Sequence, residues 1–86
     1  MPVEVKMYST RFCPYCMRAR SLLDSKGVAY EDIGIDANPQ MRQQMMKLSG
    51  RHTVPQIWIG SQHIGGFDDI YLLERQGDLD ELLNAA

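Results

Sequence analysis

Cysteine is scarce in this chain, with two among 86 residues. A small secreted scaffold held by disulfides needs several bridges, so that class is excluded. Two thiols are also too few for a complete zinc site, and the two histidines, His52 and His63, stand far from them in sequence. No apolar run approaches the length of a membrane span. The opening residues Met1 to Lys6 carry no apolar signal-peptide core, so neither membrane insertion nor secretion is expected. An excess of one charge is lacking as well. Nine basic against eleven acidic residues leave a net charge of -2, which argues against nucleic acid as a partner. Internal repeats, low-complexity stretches and linkers are absent. What remains is ordinary globular material, 44% apolar and 23% charged, of a length that predicts one domain over residues 1–86.

The pattern along the chain alternates between strand and helix. Val3 to Ser9 alternates apolar and polar residues and predicts a strand with Val3, Val5 and Met7 on one face. From Pro14 to about Lys26 the period becomes helical, with Cys16, Ala19, Leu22 and Leu23 on one stripe. Pro14 suits the first helical turn and Gly27 the position just past the end. A second strand is expected over Ala29 to Ile33, with Gly34 marking a bulge or the strand end. Asn38-Pro39 signals a helix start, Met41, Met45 and Leu48 form its stripe, and Gly50 closes it. A strand over Gln56 to Ile59, a tight turn at Gly60-Ser61 and a partner strand over Gln62 to Ile64 follow. Asp68 or Asp69 starts a helix carrying Ile70, Leu72 and Leu73, and Leu79 to Leu83 forms a short terminal helix. A strand, helix and strand in succession favour a parallel pair with a right-handed crossover, and the hairpin adds antiparallel strands. The expected class is α/β: a mixed four-stranded sheet flanked by helices.

Cys13-Pro14-Tyr15-Cys16 falls where the first strand gives way to the first helix. Helix starts present unpaired N–H groups and the positive end of the macrodipole, which favour a thiolate over a thiol. Cys13, nearer solvent, is placed to attack a disulfide, and Cys16, on the buried stripe, to resolve the mixed disulfide. Arg11 and Arg18 add positive potential or are simply solvated. The plainer reading is a pair of structural cysteines or half of a zinc site, but the strand–helix context favours redox chemistry. Thr53-Val54-Pro55 precedes a strand. On base rate its proline is trans; a cis proline would turn the Val54 backbone outward to pair with an extended peptide-like substrate. Gly65-Gly66-Phe67-Asp68-Asp69 is either a plain turn with an aspartate cap or a close backbone approach to a ligand at a helix start. Arg42 on the second helix, Tyr15 between the cysteines and Trp58 on a short strand have surface or packing readings when taken singly. The methionines read as helix packing rather than metal ligands.

Taken together, Cys13-Pro14-Tyr15-Cys16, Thr53-Val54-Pro55-Gln56-Ile57 and Ile64-Gly65-Gly66-Phe67-Asp68, in this order and spacing, resemble the dithiol glutaredoxins, and most closely the small bacterial ones. The resemblance covers essentially the whole chain. It implies a thioredoxin fold, a cis Pro55 and reduction by glutathione as co-substrate, with no metal. It implies Cys13 as nucleophile and Cys16 as resolving thiol. It places Tyr15 beside the glutathione, Thr53 and Val54 against the backbone of its cysteinyl residue, and Arg42 near its glycine carboxylate. Gly66, Phe67 and Asp68 receive the γ-glutamyl end. Many members have a lysine three residues before the first cysteine; this chain has Thr10 there, and Arg11, one place later, is expected to substitute. Phe67 stands where many members have a cysteine or another small residue. The implied partners are disulfide-containing or glutathionylated proteins, with ribonucleotide reductase a family-level candidate; a monomer is expected, and the lack of targeting signals points to the cytoplasm, where a cysteine pair is more often catalytic than structural. Two rivals remain within reach of the sequence. One is a module holding an iron–sulfur cluster between two subunits; the other is a carrier reduced by thioredoxin reductase.

Overall fold

The computed structural model describes residues 3–84. Over those residues the chain forms β1 (Val5–Ser9), α1 (Pro14–Ser25), β2 (Glu31–Gly34), α2 (Pro39–Ser49), β3 (Gln56–Ile59), β4 (Gln62–Gly65), α3 (Phe67–Gln76) and α4 (Asp78–Leu83). The strands make one mixed sheet in the order β2-β1-β3-β4. β1 runs parallel to β2, with Tyr8 opposite Ile33, and antiparallel to β3, with Met7 opposite Ile57. β3 and β4 form the antiparallel hairpin. This is the thioredoxin fold.

Alternation along β1 divides the core between the two faces of the sheet. Val5 and Met7 join Ala19 and Leu23 of α1, Ile70 of α3, and Leu79 and Leu83 of α4 on one face. Tyr8 points the other way, onto Ile35 and Met45, with Trp58 at its edge. The Tyr8 and Trp58 rings meet edge to face at 5.4 Å. Lys26, at the end of α1, ties three helices together through Glu74 at 2.6 Å and Asp80 at 2.9 Å.

The helix boundaries follow local chemistry. Pro14 and Pro39 occupy first turns, where a missing N–H leaves nothing unsatisfied. Asn38 caps α2 by accepting from the Met41 N–H at 3.2 Å, and Gly50 ends it in the left-handed region. Elsewhere the sequence reading shifts. β1 starts at Val5, although Val3 still packs against the core. β2 starts at Glu31 rather than Ala29, because it is an edge strand whose extent is set by what β1 offers it; Gly34 is its last residue, opposite Ser9. The register irregularity lies between Ile57 and Trp58 instead. β4 reaches Gly65, α3 starts at Phe67, ahead of Asp68, and α4 starts at Asp78. Leu48 and Leu72, expected on core stripes, are exposed.

Candidate active site

Cys13 is the N-cap of α1, in extended conformation, and its carbonyl accepts from the Met17 N–H at 3.0 Å. Its side chain is half-buried, and Cys16, one helical turn on, is fully buried; both thiols are free. This asymmetry follows from the amphipathic stripe of α1, which turns Cys16 inward with Ala19 and Leu23. Burial pushes the Cys16 thiol up to about 11. A backbone hydrogen bond from Thr10 acts against that rise, hydrogen bonding to and charge on Cys13 add to it, and the Arg20 charge opposes it. Cys16 is thus held as a thiol until something changes at Cys13, and Cys13 is the sulfur that an incoming disulfide can reach.

Beside Cys13 lies the loop that enters β3. The Val54–Pro55 peptide bond is cis, and the Val54 carbonyl sits 3.8 Å from Cys13 Sγ, within reach of the thiol as donor. The buried Gln56 holds this loop in place. Its Nε2 donates to the Thr53 carbonyl at 3.1 Å, and its Oε1 is 2.7 Å from His63 Nε2. With the amide so oriented, His63 Nε2 is the donor. Burial, aided by the Arg51 charge, depresses the His63 pKa and favours the neutral imidazole.

The loop forms one wall of a groove of about 360 Å³. Of the residues singled out in the sequence, Tyr15, Thr53, Val54, Pro55, Gly66, Phe67 and Asp68 line it. Arg51, which the sequence does not single out, and Asp69, read there as a possible helix cap, also line it. Asp69 Oδ2 accepts from the Gly66 N–H at 2.9 Å and from Arg51 Nη1 at 3.1 Å. Those contacts, the Gly66 N–H first, hold its carboxyl below the usual aspartate range. The local signal for Asp69 was present: an acceptor three residues after the residue preceding a helix is the capping spacing. Arg51 carries no such signal, because its partner lies 18 residues away. Gly65 has φ +121°, and a Cβ there would collide with the Asp69 carboxylate and approach Arg51 Nη1 to 3.0 Å. The glycine pair therefore lets the α3 start fold back onto the groove wall.

Arg11 and Arg42 do not line this groove. Arg11 is exposed and borders a separate recess with Ser9, Arg20, Asp32, Gly34 and Asp36. Its backbone N–H donates to the Asp36 carboxylate, and its guanidinium lies 5.9 Å from the Phe12 ring. Arg42 is on the exposed side of α2. The Arg18 guanidinium lies 5.6 Å from the Tyr15 ring, and Phe67 stacks on Tyr71 at 5.6 Å. A wider concavity, about 1070 Å³, lies at the far end of the sheet among Val3, Tyr30 and Leu83, away from both sulfurs. Among the described residues no three histidine, cysteine or acidic side chains cluster as a metal site, and no helix is long and apolar enough to cross a membrane.

The glutaredoxin family model matches residues 5–64. The chain is 51% identical over 81 residues to a glutaredoxin of Pseudomonas aeruginosa, covering 94% of this chain and 96% of that one. It is 54% identical over 80 residues to glutaredoxin 3 of Escherichia coli K12, covering 93% and 96%. Among solved structures, a buckwheat glutaredoxin–glutathione complex superposes with a TM-score of 0.87 at 31% identity, covering 94% of this chain and 76% of that one.

Proposed function

The chain belongs to the glutaredoxin family, proteins of thiol–disulfide exchange, and from that premise we propose that glutathione is the reductant and that the groove beside Cys13 receives it. The observation that carries the reading is the pairing of an accessible Cys13 with a buried, protonated Cys16 at the mouth of a groove walled by Val54 and the α3 start. The buckwheat protein, which binds glutathione, shares this fold. Here the Val54 N–H has no partner in the protein among the described residues, so this edge is open to the backbone of a peptide. Tyr15 flanks the tripeptide, Thr53, Val54 and Pro55 face its cysteinyl residue, and Gly66, Phe67 and Asp68 take the γ-glutamyl ammonium and carboxylate. Arg51, already inside the groove, is the nearer cation for a carboxylate; Arg11 and Arg42 act from outside it.

The chemistry then runs as follows. The Cys13 thiolate attacks one sulfur of a disulfide; a Cys13–sulfur bond forms, the substrate S–S bond breaks, and the departing thiolate takes a proton. In the dithiol route Cys16 loses its proton and displaces the second half, leaving a Cys13–Cys16 disulfide and a second reduced thiol. Two glutathione thiols reduce that bond and leave as glutathione disulfide. In the monothiol route Cys13 takes the glutathionyl group from a glutathionylated protein, and a second glutathione removes it. Disulfide-containing and glutathionylated proteins, ribonucleotide reductase among them, are the proposed substrates. The proposed setting is the cytoplasm, with the chain acting as a monomer.

A glutathione-coupled turnover assay on a small glutathione mixed disulfide tests this. The parent and Cys16→Ser proteins should turn over, and Cys13→Ser should not. Turnover by Cys13→Ser, or none by the parent, contradicts the proposal.

A further inference from the structure

Outside the residues lining the groove lies a polar cluster that ties the cysteine-bearing helix to the edge strand. Arg20 stands one helical turn after Cys16 on α1. Its Nε donates to Asp32 Oδ2 at 2.7 Å, and its Nη2 donates to Ser9 Oγ at 2.8 Å and to the Thr10 carbonyl at 3.2 Å. Ser9 Oγ in turn donates to Asp32 Oδ1. One guanidinium therefore joins α1, the end of β1, the edge strand β2 and the first residue of the loop carrying the cysteines. Thr10 is also the residue whose backbone hydrogen-bonds the Cys16 sulfur. By holding the Thr10 carbonyl, Arg20 restrains the residue whose N–H, the backbone's donor, faces the sulfur.

We propose that Arg20 is a positioning residue for the resolving half of the reaction: clamped by Asp32 and Ser9, it fixes Thr10 against the Cys16 sulfur and keeps a positive charge one turn below it. The inference rests on the dithiol reading above. In the step concerned, Cys16 gives up its proton and its sulfur attacks Cys13 of the mixed disulfide. The Cys13–Cys16 bond forms, the bond to the substrate sulfur breaks, and the released thiolate takes up a proton. Two electrons pass from the cysteine pair to the substrate. A charge and a donor that favour anionic Cys16 accelerate this step and leave the first attack by Cys13 unaffected.

The charged and titratable groups around Cys16 give the test its sign. Cys13 and Arg20 face it from α1; Asp32 and Tyr30, on and before β2, act through Arg20. Burial dominates, and Arg20 works against it. In a Cys13→Ser background Cys16 is the remaining cysteine, and its titration is read from thiolate ultraviolet absorbance. Arg20→Gln should raise its pKa by about half to one pH unit. Arg20→Lys should stay near the parent. Asp32→Asn, which leaves the Arg20 charge less neutralised, should lower the pKa. With both cysteines present, a rise of about one unit leaves tenfold less thiolate, partly offset by greater nucleophilicity, so release of product in the dithiol route should slow roughly threefold. Removal of glutathione from a mixed disulfide by a Cys16→Ser protein should be insensitive to Arg20→Gln. A role in folding alone would lower thermal stability in both variants without opposite shifts of the Cys16 titration. Unchanged titration, or shifts of one sign in Arg20→Gln and Asp32→Asn, overturns the inference. The titration needs no glutathione, so its failure is distinct from failure of the glutathione reading, which the Cys16→Ser turnover reports.

Discussion

Replacing Asp69 tests whether the groove wall is held by the contacts the structure shows. Its carboxylate accepts from the Gly66 N–H at 2.9 Å and from Arg51 at 3.1 Å. A hydrogen bond to a charged group contributes about 1.5–3 kcal/mol. The Arg51 and Asp69 side chains are 49% and 45% exposed, so solvent screening reduces their pairing to under about 1 kcal/mol and water can partly replace the Gly66 contact. Asp69→Ala should therefore lose about 1.5 kcal/mol, a drop in Tm of roughly 6–12 °C for a domain of this size. Asp69→Asn keeps an oxygen for the Gly66 N–H and should lose less. The folded-state carboxyl is depressed, so its contribution is full above the unfolded value of about 3.9 and is lost as pH falls through the folded one. Thermal unfolding of parent and Asp69→Asn should differ at neutral pH, and the gap should close as pH falls from about 4 through the depressed folded value. If the gap is absent at neutral pH, or stays constant into acid, the clamp contributes nothing and the reasoning fails.

Two further predictions rest on packing. Gly65→Ala meets both a positive φ and the Asp69 carboxylate; it should cost about 2 kcal/mol or more and raise KM for a glutathione mixed disulfide more than it lowers kcat, as steady-state kinetics would read. Ile70, fully buried where α3 meets the sheet, should cost about 2–5 kcal/mol when replaced by alanine, measured by urea unfolding, while Cys13 of the folded fraction keeps its reactivity toward an alkylating agent.

Much of this fold was legible because its punctuation is local. Pro14, Asn38-Pro39, Gly27 and Gly50 act within a turn of where they stand, so the helices were placed closely. The close cysteine pair was legible for the same reason: Cys13 and Cys16 share one turn of one helix. β2 was misjudged at its start because an edge strand is bounded by its neighbour's hydrogen bonds, and its own residues Ala29 and Tyr30 are equally suited to a strand. Leu72 looked like core, yet it is exposed on α3. The Arg51–Asp69 and Arg20–Asp32 pairs were invisible because each joins residues on different elements, 18 and 12 positions apart. Arg42 was carried by resemblance alone and Arg11 by its charge beside the cysteines as well; neither lines the groove.

The most direct test of the central claim is to trap the intermediate. Cys16→Ser protein is incubated with glutathione disulfide, digested and examined by mass spectrometry. The account predicts one glutathionyl group on Cys13, released by added glutathione and absent from the Cys13→Ser protein. An unmodified Cys13 under conditions where a small aromatic disulfide does modify it would show that the groove does not receive glutathione.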